Sequence, residues 1–213
     1  MVMIMSNPRL ILASTSIYRR ELLSRLTPDF ICIAPNIDES SNSDEKPEQL
    51  ACRLAVEKAK AVANAVLSPG EPALTIGSDQ VATYNGKLIG KPGNKDNAIN
   101  QLKQHSGNKL IFMTGVCVLN NSDSNCQVIA VPSIVQFRVL NDATIQNYLD
   151  REPAYDCAGA FKSEGLGISL IEYMDTPDPT ALIGLPLISL SQMLQVAGYD
   201  ILAPTTKKPP QQS

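Results

Sequence analysis

The sequence predicts an α/β fold built on a mixed β-sheet, and three observations point that way. Short apolar runs of strand length recur along the chain and are interleaved with segments of helical periodicity. Two pairs of runs are joined by polar turns in the manner of β-hairpins. Gly, Pro, Asn and Ser punctuate the boundaries where turns are needed, and no internal repeat organises the chain.

Taken in order, Leu10–Ala13 is a continuously apolar run that ends in Ser14, Thr15 and Ser16, followed by helical periodicity over Tyr18–Leu26. This reads as a buried strand, a tight polar turn and a helix with Ser16 as N-cap. Phe30–Ala34 is a second strand, and the polar stretch Asp38–Lys46 is a loop. Pro47 suits a helix start, and Leu50, Leu54, Ala55, Lys58 and Val62 extend that helix to about Leu67. Residues Ser68–Pro72 stop it. Ala73–Ile76 is a buried strand running out into Gly77, Ser78, Asp79 and Gln80. Val81–Tyr84 and Lys87–Ile89 flank Asn85-Gly86, the signature of a type I′ hairpin. Asn94–His105 is a helix; Leu110–Leu119 and Val128–Val139 form a longer antiparallel hairpin; Asp142 caps a helix reaching Arg151. After a glycine-rich passage, Ile168–Tyr173 is a strand and Pro186–Ala197 the last helix. Residues 1–203 thus make the folded unit, and the tail 204–213 reads as disordered.

Composition narrows the function. With 213 residues, 44% hydrophobic, the chain can bury a sizeable core in one large domain or two small lobes. A net charge of −3 gives no footprint for nucleic acid or an anionic membrane, yet a local cluster of cations could still hold a small anion. No apolar run approaches the ~20 residues that span a bilayer, and the N-terminus is a poor secretory signal. Five cysteines without CxxC spacing read as small buried hydrophobes of a reducing cytosol, so a cytoplasmic protein is expected. One histidine, His105, excludes a multi-histidine zinc site. It sits in a polar helix end and reads as a solvated surface side chain.

Four places could carry chemistry. The turn Ser14–Ser16, leading into Tyr18, Arg19 and Arg20, offers backbone N–H groups at a helix N-terminus with hydroxyls and guanidiniums beside them, a combination suited to phosphate. Asp38, Glu39 and Asp79 are carboxylates that, gathered together, would bind Mg²⁺ or Mn²⁺. Alone, Asp38 and Glu39 read as a solvated acidic loop, whereas Asp79 directly after a buried strand is costly without a partner. Gly90-Lys91-Pro92 has the wrong spacing for a Walker A loop, and Pro92 stands where Ser or Thr would hold the metal, although Lys91 could still face phosphate. Lys58 and Lys60 are by default exposed helix charges. The small residues around Ala158–Gly165 allow close backbone approach. There is no GxSxG elbow.

In this order and spacing, the segments resemble the Maf family. The opening segment Leu10–Leu23 resembles that family's first signature, and the likeness continues through Ile37–Glu39, Leu54–Ala59, Ile76–Val81, Gly90–Pro92, Ala158–Phe161 and Ile183–Leu187, covering about residues 9–198. Ile17 departs from the usual Pro. Most members carry a GADT strand end and a late Gln, a pattern associated with dTTP and UTP. Here Tyr18, Gly77-Ser78-Asp79-Gln80 and Lys162-Ser163-Glu164 resemble the subgroup acting on 7-methyl-GTP.

The resemblance implies an elongated mixed sheet flanked by helices, in two lobes with the site in the cleft between them, as in Maf and ITPase proteins. It implies a nucleotide pyrophosphatase with Asp79 as general base, Ser14, Arg19, Lys58 and Lys91 on phosphate, and Tyr18, Gln80 and Glu164 on the base, where Gln80 would donate to O6. A divalent cation, Mg²⁺ or Mn²⁺, is expected on Asp79 with Asp38 or Glu39, and Asp79 then serves as metal ligand or as base, not both; the resemblance further implies a homodimer, though no interface is legible. A dTTP or UTP pyrophosphatase and a nucleotide-binding regulator of septum formation are the alternatives.

Overall fold

The computed structural model describes residues 7–203; the tail assigned to 204–213 lies outside the described residues. Among the described residues, seven strands form one mixed sheet in the order β2-β1-β3-β5-β6-β7, with β4 paired to the far end of β3. The strands are β1 (Arg9–Ala13), β2 (Ile31–Ile33), β3 (Ala73–Tyr84), β4 (Lys87–Ile89), β5 (Lys109–Asn120), β6 (Cys126–Phe137) and β7 (Ile171–Asp175). Pairing is parallel for β1 with β2 and β3, and antiparallel elsewhere. The helices are α1 (Ile17–Ser24), α2 (Pro47–Val66), α3 (Lys95–His105), α4 (Asp142–Arg151) and α5 (Leu187–Val196).

The expected elements form, with corrections that bear on the site. The apolar run 73–76 and the run 81–84 are one continuous strand, so Asp79 lies in the middle of β3, not past a strand end. The Gly-Ser-Asp-Gln segment looks like a turn because it is polar, but it stays extended by pairing with residues 114–117 of β5. The strand expected at Ile168–Tyr173 begins at Ile171, its first residues being a 3-10 turn. Asn141, not Asp142, caps α4 through its side chain. Asn85 and Gly86 both have positive φ, as the type I′ turn requires.

Long strands β3 and β5 run through two apolar cores. One packs Leu10, Leu12, Leu22, Leu74, Ile76 and Val116 against α5. The other gathers Phe112, Phe137, Phe161, Leu102, Ile145 and Leu149 under α3 and α4. His105 belongs to this second core, only 1% exposed, between the rings of Tyr84 and Phe137. The surface position expected of it is therefore wrong: the polar residues around it face solvent while the ring turns inward, and burial lowers its pKa to about 4. The cysteines are free thiols, but only Cys117 is fully buried and Cys32 is exposed.

Helix α2 lies directly on the sheet. Its Ala55 and Ala51 carbonyls approach Gly77 and Gly115 so closely that a Cβ at either glycine would fall 2.0 or 2.2 Å from them. No helix among the described residues is long and apolar enough to cross a membrane.

Candidate active site

A cleft of about 810 Å³ opens between the β1–α1 turn and the segment 156–164, within the range of small-molecule sites. Asp79 and Gln80 of β3 line it, as do Glu39, Lys58 and Lys91. Of the residues singled out from sequence, Ser14, Tyr18, Arg19, Glu39, Lys58, Asp79, Gln80, Lys91 and Glu164 all line it. Asp38 does not: it is exposed and its carboxylate accepts from the Ser40 N–H at 2.9 Å. Hydrogen bonding from the Ser40 hydroxyl, and then from its N–H, holds the Asp38 pKa below the usual carboxylate value.

The β1–α1 turn is shaped by its hydroxyls. Ser14 is buried and its Oγ accepts from the Ser16 N–H at 3.1 Å, while Ser16 Oγ caps the helix by accepting from Arg19 N–H. The remaining N–H groups of the first turn have no intrahelical acceptor and sit at the positive end of the helix dipole. Arg19 Nε donates to Gly184 O at 2.9 Å. Burial lowers the Arg19 pKa, and the negative charges of Asp79 and Glu39 work against that shift.

Lys58 is the centre of the charge arrangement. Default reading of α2 makes it an exposed helix charge; in the structure it is 5% exposed, because α2 presses this face onto the sheet. Its Nζ lies 2.6 Å from Asp79 Oδ1 and 2.7 Å from Glu39 Oε1. Hydrogen bonding to Lys58 lowers the Glu39 pKa. A buried ammonium shared by two carboxylates is costly to desolvate and is compensated here by both ion pairs. Lys60, two residues on, faces outward.

The acidic loop is itself held. The Arg53 guanidinium donates to both oxygens of Glu45 at 2.7 and 2.8 Å and to Ser40 O at 2.9 Å. Such a bidentate fork fixes the geometry of the loop that delivers Glu39. Sequence reading missed Arg53, since its pattern is that of any charged helix face.

Gln80 departs from its expected use. Its Nε2 donates to Thr114 Oγ1, Ala181 O and Leu182 O, each at 3.0 Å. The side-chain nitrogen is thus committed to the wall formed by residues 181–184, and donation to a base oxygen does not fit this arrangement. What Gln80 can offer is its carbonyl oxygen. The same wall receives Ser78 Oγ, 2.8 Å from Gly184 O, and Thr114 Oγ1, which donates to Ala181 O at 2.8 Å.

A cation-rich turn, a buried lysine bridging two carboxylates and a pocket ending in Tyr18 and Glu164 can together hold a polyanion with a flat polar head. Among the described residues, no group of three or more His, Cys, Asp or Glu could hold a metal ion. Two carboxylates, Glu39 and Asp79, meet at the Lys58 ammonium, and carboxylate oxygens are the donors Mg²⁺ prefers.

Comparison with known proteins agrees in kind. The family described as Maf-like protein matches residues 9–197. The 7-methyl-GTP pyrophosphatase of Paraburkholderia xenovorans is 52% identical over 195 residues, covering 92% of this chain and 95% of that protein. The protein of the same name from Albidiferax ferrireducens is 49% identical, covering 93% and 99%. That of Pseudomonas fluorescens is 50% identical, covering 90% and 98%.

Proposed function

Because the chain belongs to the Maf family, we propose that its cleft hydrolyses a nucleoside triphosphate between the α- and β-phosphates, with 7-methyl-GTP as substrate. The observation that carries this is the buried Lys58 held between Asp79 and Glu39 in the cleft that the Ser14–Arg19 turn also lines. Binding a nucleotide alone would not require two carboxylates at the phosphate end, where they repel the ligand.

The triphosphate lies along the turn, where Ser14, Arg19, Lys58 and Lys91 offset its charge. Lys58 holds Asp79 Oδ1, and Oδ2 is the oxygen assigned to the attacking water. Water adds to the α-phosphorus in line with the leaving group; its proton passes to Asp79, the Pα–O–Pβ bond breaks, and pyrophosphate departs, leaving the monophosphate. Lys58 and Arg19 stabilise the charge that builds on the phosphoryl oxygens. A divalent cation, Mg²⁺ or Mn²⁺, would be held by Glu39 together with the substrate phosphates and would supply further charge neutralisation there, leaving Asp79 free as the base.

At the other end, N7-methylation makes guanine cationic, so Glu164 attracts the ring as well as accepting from its N1–H and amine. Tyr18 can stack on a cationic face. Gln80, with its nitrogen committed to the wall, contributes a second acceptor for guanine donors. A base lacking those donors leaves acceptors unpaired in the pocket, the condition for strong discrimination.

The test is pyrophosphate release with Mg²⁺ or Mn²⁺ across 7-methyl-GTP, GTP, dTTP, UTP and CTP. Preference for 7-methyl-GTP is expected. Preference for dTTP or UTP would overturn the pocket assignment while keeping the chemistry, and no release from any would leave a binding protein.

A further inference from the structure

Glu164 and Ser163 reach the cleft from a short loop, residues 162–167, that makes no strand or α-helix of its own. The loop closes tightly on itself: a Cβ at Gly167 would fall 2.3 Å from Lys162 O. What seats it is the end of α4. Tyr148, 5% exposed, turns its hydroxyl outward from the second core to accept the Lys162 N–H at 3.0 Å. One turn later the Glu152 carboxylate accepts the Gly167 N–H through Oε2 at 3.1 Å. Its Oε1 occupies the space beside Gly165, 2.0 Å from where a Cβ would stand. The two acceptors stand one turn apart at the end of α4 and take the two ends of the same loop. Burial pushes the Tyr148 pKa up.

The loop is therefore gripped at its first and last residues, with Ser163 and Glu164 between the grips. Neither Tyr148 nor Glu152 lines the cleft; the Tyr148 ring packs in the second core, but an apolar pair would fill the same volume without catching two loop amides. We propose that Tyr148 and Glu152 are positioning residues for base selection, holding the 162–167 loop so that Glu164 meets the base at a fixed place. This rests on the reading of the cleft as a nucleotide site with Glu164 at its base end. A charge-assisted bond to a backbone amide is the strong kind, and a carboxylate displaced from its hydrogen-bonding position loses discrimination before it loses chemistry at the distant phosphate.

The experiment uses the full chain with Glu152→Ala, Glu152→Gln and Tyr148→Phe. For each, kcat and KM are measured on 7-methyl-GTP and GTP, thermal unfolding is followed, and amide exchange is read over residues 162–167. Glu152→Ala is expected to raise KM for 7-methyl-GTP about tenfold, the loss of one charge-assisted bond. It should lower the preference over GTP by a similar factor, with a smaller effect on kcat and faster exchange in the loop. Glu152→Gln, which keeps an acceptor for Gly167, should recover much of the preference. A selective wild type whose Ala and Phe variants keep its preference sinks the proposal alone. Equal losses of kcat on both nucleotides, tracking a lowered Tm, would mean a merely structural role and also overturn it. A wild type releasing pyrophosphate from neither nucleotide sinks the cleft reading and the proposal with it, whichever way the loop exchanges.

Discussion

Replacing Gly77 by Ala should disable the enzyme from a position that touches no substrate. A Cβ there would lie 2.0 Å from Ala55 O and 2.9 Å from Ala59 N, both backbone atoms of α2. Relief to ordinary contact, at 3.4 Å or more, requires helix and strand to part by about 1.4 Å. Neither neighbour can yield by rotating a side chain. Overpacking of this kind costs about 1–3 kcal/mol, which in a chain of this size is a Tm drop of roughly 2–12 °C. The catalytic effect should be larger than the stability loss suggests. Lys58 follows Ala55 by less than one helical turn, and its Nζ sits 2.6 Å from Asp79 Oδ1. Displacing a catalytic group by about 1 Å can cost on the order of 10²-fold in rate. The assay is kcat for pyrophosphate release beside thermal unfolding on the same preparation. A Gly77→Ala protein with unchanged Tm and kcat would refute the seating of α2 on the sheet. Loss of stability with full activity would refute the claim that this seating positions Lys58.

Other outcomes follow from the same geometry. Asp79→Asn should abolish turnover while circular dichroism stays that of the wild type; retained pyrophosphate release would remove Asp79 from the chemistry. Gln80→Glu should destabilise the fold by roughly 1–3 kcal/mol, because a carboxylate would face the carbonyls of Ala181 and Leu182 with no donor to offer; denaturant titration reads this directly. His105 sets a pH dependence of stability. Its folded pKa of about 4 lies below the ordinary value of 6.5, so the unfolded chain binds the extra proton between those limits. Its contribution is complete above about pH 6.5, declines as pH falls through the window and levels off below about 4, a loss of about 3 kcal/mol. His105→Phe should flatten that portion of the denaturation profile, and an unchanged slope would assign it to other groups.

The elements of this fold were legible wherever one face decided them. The type I′ turn at Asn85-Gly86, the capped α1 and the long β5–β6 hairpin follow from local chemistry and stand where expected. The failures share a cause: they depend on what lies across from a residue. Gly77 to Gln80 reads as a loop because its residues are polar, yet β5 on one side and α2 above keep it extended and buried. Lys58 has the surroundings of a surface lysine in sequence, and only the contact of α2 with two glycines reveals that it is inside. His105 is misread for the same reason in the other core. At the site, residue types pointed to phosphate chemistry, but partner assignments did not. The orientation of Gln80 is set by carbonyls about a hundred positions away, and no local pattern carries that information.

The wall at residues 181–184 has a consequence for how the protein becomes active. Asp178, 1% exposed, anchors it by accepting from the N–H groups of Thr180 and Ile188 and so ties the wall to α5. Its carbonyls then receive Arg19 and Gln80, side chains made 165 and 101 positions earlier. As the chain emerges from the ribosome, β1, α2 and β3 can assemble the phosphate end of the cleft while the wall is still unsynthesised. Until α5 docks, Arg19 lacks its Gly184 carbonyl and Gln80 keeps only its bond to Thr114, so the nascent protein carries Asp79 without a shaped pocket. A fragment cut before Asp178, which also lacks the α5 half of the first core, should therefore release no pyrophosphate.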